Sequence, residues 1–489
     1  MGTQASVRTL RPPVPGVHGL VTSANPLASM AGTRILLAGG NAFDAAVAVA
    51  TVLNVVEPQS SSIAGNGFAT VFDKKTGTVH SLPMTGATPA GIVASEMTPE
   101  TLNSGMKAAI VPGNIGGLLA MLDRFGSRPL SEVLAPAIDY AQNGHPANDG
   151  YVAGIRGGRQ RLLKTPTSAA LFLPGGRLPE SGEMVRNPDL AATLRKLVEA
   201  EQTALKGGAS RNAAIQAAHD RFYKGDIAQE IDRYYKANGG VLTAADLAGF
   251  TAKWETPLHT TYRGYDVYTN GATSRGGFEV IMQLNLLEGF DLSAMQYGSA
   301  EAIHLQAEAI KVAKSDIYHY LGDAAFTKVP VEGMVSKAYA AERRKLMTPA
   351  RAVAYPAIGN PSAFGSSSMA PVQVAAKSSG PAWPEHYEPD PETTSFSIVD
   401  REGNAVAVTP TIGGGMGTSV VVGNTGLLFN NGLRLGSTSP YPDNVNYVRA
   451  RQIPLLNNSP VIVLKDGQLV LAIGTPGGET IGQTQFQGI

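Results

Sequence analysis

The chain has 489 residues, of which 43% are hydrophobic and 16% are charged. These values are ordinary for a soluble globular protein, and the length is sufficient for two or three domains. The 39 Lys and Arg residues balance the 39 Asp and Glu residues, so the charge pattern does not favour a nucleic-acid or an anionic-membrane partner. There is no cysteine, which excludes disulfides, thiolate metal sites and a cysteine nucleophile.

The first 19 residues contain no apolar segment of the kind found in signal peptides. No run of about 18 apolar residues is present, so we expect no membrane-spanning helix. We therefore expect a cytoplasmic protein from the sequence as it stands, or a periplasmic or secreted one if a leader has been removed. The 8 histidines are scattered without metal-ligand spacing, and we expect neither a metal nor a cofactor.

The first part of the chain mixes short strands with helices. A strand is predicted over 18–22, a helix over 23–39, and a second helix from Asn41 that is apolar on all sides and therefore buried. The glycine-rich turn 64–68 leads into another strand. Further helices are predicted from Val111 to Arg124, over 129–145, within 187–218 and over 300–320. This mixture predicts an α/β or α+β fold.

A linker is predicted over 352–391, where Ser, Pro, Ala and Gly dominate. Thr393 and Thr394 follow it, and two alternating runs that end at Thr411 predict a β-hairpin. A threonine at the start of the first strand has two interpretations. It can reflect β-propensity alone. Alternatively, if the chain is cut before Thr393, the new α-amine, which titrates at about 7.7–8.0, can act as the base for its own hydroxyl.

The run TTSFSIVDREGNAVAVTPT resembles the start of the small subunit in the γ-glutamyltransferase family of N-terminal-nucleophile (Ntn) hydrolases. GGNAFDAAVAV near the N-terminus resembles the same family. Members are made as one chain, cleave themselves before the first threonine of this motif and use it as the nucleophile. The resemblance thus implies a scissile bond between Glu392 and Thr393, Thr393 as the nucleophile and Thr411 as the threonine that hydrogen-bonds it. It also implies a four-layer αββα sandwich with strands from both segments.

The segment GTPGG matches the turn that forms the family's oxyanion hole, which implies this role for Gly477 and Gly478. From the residues alone, an ordinary strand-ending turn is the alternative. Gly413 to Gly417 is also glycine-rich, but no Lys-Ser or Lys-Thr pair follows it, which argues against a phosphate-binding loop.

Departures from the family fall in the pocket that holds the γ-glutamyl group. They are Thr85 or a neighbouring residue for the arginine that binds the α-carboxylate, Gly413 for an asparagine, Leu435 for the aspartate that holds the α-amino group, Leu456 and Asn457 for paired serines, and Arg275 for a serine. The candidate substrate-binding residues are therefore Thr85, Gly413, Asn431, Arg434 and Asn457. Arg434 beside Leu435 favours an acyl group that lacks an ammonium and bears an anion.

We therefore expect an autoprocessing hydrolase or acyltransferase that acts on a small-molecule amide through an acyl-threonine intermediate, with an acyl donor other than a conventional γ-glutamyl group. Two alternatives stay open: an ordinary γ-glutamyltransferase or glutathione hydrolase, and a non-catalytic binding protein. Residues 1–392 are expected to form a large-subunit segment and residues 393–489 a small-subunit segment truncated at its C-terminus. The two are expected to form a heterodimer that can oligomerise further, without nucleic-acid or membrane partners.

Overall fold

The computed structural model of the protein describes residues 14–365 and 393–489. The helices are α1 (Pro26–Leu37), α2 (Ala42–Val56), α3 (Pro99–Asn103), α4 (Asn114–Phe125), α5 (Leu130–Val133), α6 (Ala135–Asn143), α7 (Asp149–Leu162), α8 (Pro166–Phe172), α9 (Pro188–Lys206), α10 (Arg211–Tyr223), α11 (Asp226–Ala237), α12 (Ala244–Ala248), α13 (Arg275–Leu287), α14 (Ala300–Tyr320), α15 (Val331–Val335), α16 (Lys337–Arg344) and α17 (Ile481–Gly488). Most of the linker predicted over 352–391, and Glu392 itself, lie outside the described residues.

The strands are β1 (Gly19–Ser23), β2 (Asn66–Asp73), β3 (Thr78–Met84), β4 (His145–Pro146), β5 (Met184–Val185), β6 (Leu258–Tyr262), β7 (Tyr265–Thr269), β8 (Phe396–Asp400), β9 (Ala405–Thr411), β10 (Val421–Val422), β11 (Leu427–Leu428), β12 (Val461–Lys465) and β13 (Gln468–Ile473). They form a five-stranded sheet in the order β1-β8-β9-β2-β3, a four-stranded sheet in the order β13-β12-β7-β6, and two small pairs. Neighbouring strands in both large sheets are antiparallel.

The two large sheets pack face to face between layers of helices. Helices α1, α2 and α4 cover the outer face of the five-stranded sheet, and α13, with α14 against it, covers the outer face of the four-stranded sheet. The space between the sheets is filled by apolar side chains that include Phe72, Ala407 and Ile462. This arrangement is the four-layer αββα sandwich that the resemblance implied, so that prediction is confirmed.

Strand β9 lies at the centre of this sandwich and is buried along its whole length. Val406 and Val408 point to the helical layer, whereas Ala405 and Ala407 point to the second sheet. Successive side chains of a strand project to opposite faces, so the alternation of valine and alanine places the larger side chains under the helices. Because Thr411 lies an even number of residues from Ala407, its side chain faces the second sheet.

Helix α2 confirms the prediction of a buried helix. The side chain of Asn41 accepts hydrogen bonds from the amides of Phe43 and Asp44, and Asp44 Oδ2 accepts one from the amide of Asn41. This capping box fixes the start of the helix, all of whose residues are buried. The helix predicted over 129–145 is instead two helices, α5 and α6, because Pro136 has no amide hydrogen to continue the first one. In the described ranges, no helix is long and apolar enough to cross a membrane.

Candidate active site

Thr393 lies at the open end of the β8–β9 hairpin and is 7% exposed. It forms an isolated antiparallel bridge with Thr411, and its Oγ1 lies 3.0 Å from Thr411 Oγ1, a hydrogen bond in which either hydroxyl can donate. The amide of Thr394 donates to the carbonyl of Pro410 at 3.2 Å. Regular pairing between β8 and β9 begins at Phe396. At Thr393, where the strand was predicted to start, there is a single isolated bridge.

Thr393 is the first of four polar side chains in a row across the end of the five-stranded sheet. Thr411 pairs with Thr393 on one side and with Asn66 on the other. Asn66 in turn faces Thr85, one position beyond the last paired residues of β2 and β3. Directly opposite residues of an antiparallel pair project to the same face, so the four side chains share the face that points to the second sheet. Strands are about 4.8 Å apart, so this row is about 14 Å long.

Several polar atoms in and around this row are buried without a hydrogen-bond partner among the described residues. Asn66 is 0% exposed, and neither atom of its carboxamide has such a partner. The same holds for the hydroxyls of Thr85 and Thr409. Buried polar groups in folded proteins are nearly always paired, so we expect these atoms to bond to water or to a ligand. Sequence analysis treated Asn66 only as part of a glycine-rich turn.

The turn of residues 474–478, called the glycine turn below, begins beside the strand that follows Thr393. Ser395 Oγ donates to the carbonyl of Gly474 at 2.8 Å. Gly477 and Gly478 have φ angles of 136° and 55°, which favour glycine because a side chain is strained in this region. Neither of their amides donates a hydrogen bond within the part of the chain that the structure describes. Both amides therefore remain available to a ligand.

The direction of the Gly478 amide is set by the carbonyls around it. The Gly477 carbonyl accepts from Thr480 N at 3.0 Å and from Thr480 Oγ1 at 2.9 Å. The Gly478 carbonyl accepts from Asn457 Nδ2 at 2.9 Å. Because the C=O of one residue and the N–H of the next point in opposite directions in a trans peptide, the bonds to the Gly477 carbonyl aim the Gly478 amide. The bond from Asn457 fixes the next peptide group, between Gly478 and Glu479. Asn457, a predicted substrate-binding residue, thus contacts the glycine turn.

Gly413 and Asn431 are coupled in space. The amide of Gly413 donates to Thr411 Oγ1 at 3.0 Å, and Gly413 has a φ of 105°. Asn431 Oδ1 accepts from the amide of Gly414 at 2.7 Å, and its Nδ2 donates to the carbonyl of Asn103 at 2.6 Å. A Cβ on residue 413 would overlap Asn431 Oδ1. A side chain at position 413 would therefore require Asn431 to move.

Charged side chains surround the far side of the glycine turn. Arg434 Nη2 lies 3.9 Å from the position that a Cβ on Gly478 would occupy. Although burial opposes it, the positive charges of Arg275, Lys314 and Arg434 hold the pKa of Glu479 below its ordinary value. Burial raises the pKa of Glu279, although Lys314 Nζ lies 3.5 Å from its Oε1. Sequence analysis noted Arg275 as a departure but gave no role to it, to Glu479 or to Glu279.

Glu57 is a second titratable group that sequence analysis missed. It lies at the C-terminal end of α2, is 7% exposed and approaches the side chain of Thr394. Burial raises the pKa of this carboxyl, and the side chains of Thr394 and Asn25 partly offset the increase. Because Glu57 approaches Thr394, the residue after Thr393, its buried carboxyl can change the electrostatic environment of the α-amine that cleavage would create.

A cleft of about 590 Å³ opens at the other end of the row from Thr393. Thr85 forms part of its wall, together with Glu255, Thr273 and Arg451. Thr273 Oγ1 donates to Glu255 Oε1, and burial raises the pKa of Glu255. In residues 14–365 and 393–489, no group of three or more His, Asp or Glu residues is placed to hold a metal ion. The row therefore connects a pair of threonines to an open space large enough for a small molecule.

Comparison with known proteins identifies one family. The family model described as Gamma-glutamyltranspeptidase matches residues 28–489. A glutathione hydrolase proenzyme of Escherichia coli (strain K12) is 34% identical over 491 residues, which cover 97% of this chain and 78% of that relative. The Acylase ACY 1 proenzyme of Pseudomonas sp. (strain SE83) is 33% identical over 493 residues, with coverages of 98% and 80%. The crystal structure of cephalosporin acylase from Bacillus halodurans has a TM-score of 0.82 and 28% identity, and the match covers 100% of this chain and 82% of that one.

Proposed function

The chain belongs to the gamma-glutamyltranspeptidase family of Ntn hydrolases and transferases, and from this premise we propose that Thr393 is its nucleophile. The chain cleaves itself between Glu392 and Thr393. The enzyme then takes an acyl group from a small-molecule amide and passes it to water or to an amine. Residues 1–392 and 393–489 stay together as a heterodimer, because each of the two large sheets contains strands from both segments.

The chemistry follows from the groups around Thr393. After cleavage, the α-amine takes the proton of the Thr393 hydroxyl while Oγ1 attacks the amide carbonyl. The amides of Gly477 and Gly478 stabilise the negative oxygen of the tetrahedral intermediate. The leaving amine receives the proton, and the acyl-threonine ester is then opened by water or by a second amine. Thr411 holds the hydroxyl of Thr393 in place. The observation that carries this proposal is the 3.0 Å contact between the two threonine hydroxyls at the start of the hairpin.

The pocket supports an acyl donor without the ammonium of a γ-glutamyl group. The row from Thr411 through Asn66 to Thr85 contains no charged side chain, and Leu435 stands in place of an aspartate. A hydrogen bond to a charged group contributes about 1.5–3 kcal/mol, so a buried zwitterion without such partners is strongly disfavoured. Arg434 at the glycine turn is placed to attract an anion. The rival function is that of an ordinary glutathione hydrolase, which the name of the Escherichia coli relative favours.

Two chromogenic substrates separate these functions. Glutaryl-p-nitroanilide and γ-glutamyl-p-nitroanilide differ only by the α-ammonium of the second. We expect the purified protein to show two fragments in intact-mass spectrometry and a kcat/KM at least about tenfold higher for the glutaryl compound, a ratio equal to about 1.4 kcal/mol in transition-state binding. A preference for the γ-glutamyl compound would establish the ordinary activity. A single uncut chain that hydrolyses neither compound would contradict the enzyme function.

A further inference from the structure

Arg275 connects three segments that are far apart in the sequence. It is 3% exposed, and each of its three guanidinium nitrogens donates a hydrogen bond. Nη1 donates to the carbonyl of Gly436 at 3.2 Å, Nε donates to Asn457 Oδ1 at 3.4 Å, and Nη2 forms an ion pair with Glu479. Two of these segments, around 434–436 and at 456–457, are ones in which the sequence departs from the family, as is position 275 itself. Arg275 therefore contacts two of the segments that contain departures.

Two of the three partners of Arg275 hold the glycine turn. Glu479 follows Gly478 directly in the chain, and Asn457 Nδ2 donates to the carbonyl of Gly478. Movement of the guanidinium would therefore displace the peptide group after Gly478 from both of its ends. The amide of Arg275 also donates to the carbonyl of Leu456 at 3.1 Å, which fixes the start of α13 to the same segment.

Helix α14 secures Glu479 from the other side. Tyr318 Oη donates to Glu479 Oε2 at 2.9 Å, and Lys314 Nζ donates to the Glu479 carbonyl at 3.2 Å. Lys314 also pairs with Glu279, which is 0% exposed. Buried ion pairs contribute little net stability because the charges must lose their hydration. The effect of this network therefore lies mainly in the geometry that it imposes on the turn.

We propose that Arg275 is a positioning residue for the oxyanion: through Glu479 and Asn457 it anchors the peptide group after Gly478, and this anchored end keeps the glycine turn in the position where the amides of Gly477 and Gly478 meet the negative oxygen of the intermediate. Arg275 itself contacts neither the substrate nor the reacting atoms. This inference rests on the proposed function, since it assumes that the two amides receive the oxyanion. It predicts an effect on the transition state rather than on substrate binding.

The test uses whichever of the two p-nitroanilides the wild-type enzyme hydrolyses faster. Arg275→Met should lower kcat about 100-fold, of the order seen for loss of an oxyanion donor, with KM changed less than about threefold. Arg275→Lys keeps the charge but not the three directions of the guanidinium fork, so its kcat should stay at least about tenfold below wild type. All rates are normalised to the concentration of cleaved protein, measured by intact-mass spectrometry.

The matched control is Arg343→Met. Arg343 is a second buried arginine, and its Nε pairs with Asp316 Oδ2 at 2.9 Å on α14. This variant should lower the melting temperature and leave kcat per active site unchanged. A kcat of Arg275→Met within about threefold of wild type would overturn the inference. An equal loss of kcat per site in both arginine variants would also overturn it.

Glu479→Gln keeps the test decisive if Arg275→Met does not fold. This change removes the charge from the turn side of the pair but preserves an oxygen for Tyr318. We expect kcat to fall about tenfold at constant KM, and an unchanged kcat would overturn the inference. A wild-type protein that neither cleaves itself nor hydrolyses either anilide would instead contradict the proposed function, so the two failures are distinguishable.

Discussion

The two sides of the candidate site are built in different ways. Thr393, Thr411 and Asn66 are placed by the backbone register of one antiparallel sheet. Across from them, the glycine turn is placed by side chains from distant segments, above all Arg275 and Glu479. The register is fixed by the backbone hydrogen bonds of the whole sheet, so it persists when one side chain changes. The glycine turn is held by side chains that contact one another, so a change in one of them affects the others. Arg275 and Asn457, two of the positions where the sequence departs from the family, belong to the set of side chains that holds the glycine turn, whereas Thr85 lies in the row set by the register.

Among the residues placed by the sheet register, we expect substitution of Thr393 to have the largest effect on activity. Thr393→Ala removes the attacking oxygen, so we expect an uncut chain in mass spectrometry and a loss of anilide hydrolysis of about 10⁴-fold or more. Thr393→Ser keeps a hydroxyl at the same position and is the matched control, with cleavage and turnover retained at a lower rate. Two fragments or residual turnover in Thr393→Ala would show that another group attacks.

Substitution of Thr411 tests whether the backbone register orients Thr393 without the Thr411 hydroxyl. Thr411→Val preserves the shape of the strand but removes the hydrogen bonds to Thr393 and to the amide of Gly413. We expect kcat to fall roughly 10–100-fold because the nucleophile loses its orientation. Thr70→Val is the control, since it removes a buried threonine bond, to Pro460, from the same sheet away from the site. Equal rates in Thr411→Val and wild type would contradict the assigned role.

Substitutions at Thr85 and Leu435 should change the substrate specificity rather than the chemical steps. The double variant Thr85→Arg with Leu435→Asp restores charge partners for both ends of a glutamate. We expect the ratio of kcat/KM for γ-glutamyl-p-nitroanilide to that for glutaryl-p-nitroanilide to rise at least about tenfold, because each charged hydrogen bond contributes about 1.5–3 kcal/mol. Thr85→Leu is the control for bulk without charge. An unchanged ratio would place the acyl group elsewhere.

Glu57 is expected to give the smallest effect, on stability rather than rate. Burial raises its pKa in the folded protein above that in the unfolded chain. Its contribution to the free energy of unfolding is therefore fully present below the unfolded pKa and is lost as the pH rises through the folded pKa. Glu57→Gln avoids that loss, so thermal denaturation should give a higher melting temperature than wild type at about pH 8 and a vanishing difference near about pH 4. A less stable variant at the higher pH would mean that the carboxylate is stabilised in its charged form.

Local patterns in the sequence predicted the parts of the fold that depend on neighbouring residues. The buried helix α2 and the β8–β9 hairpin follow from their apolar periodicity and from the polar residues at their ends. Asn66 could not be assigned in this way, because its partner Thr411 is 345 residues away and only the folded sheet brings them together. For the same reason Arg275 could be recognised as unusual, whereas its ion pair with Glu479, 204 residues further on, could not be predicted.

The order of strands has a consequence for the life of the enzyme after it cuts itself. In the five-stranded sheet, β8 and β9 lie between β1 and β2, so the upstream and downstream pieces are hydrogen-bonded neighbours on both sides. Before the cut, a denatured molecule can refold as a single chain. After it, two separate chains must find each other, so renaturation becomes bimolecular and fails on dilution. Processing therefore makes unfolding effectively irreversible, and the lifetime of the mature enzyme depends on how slowly it unfolds.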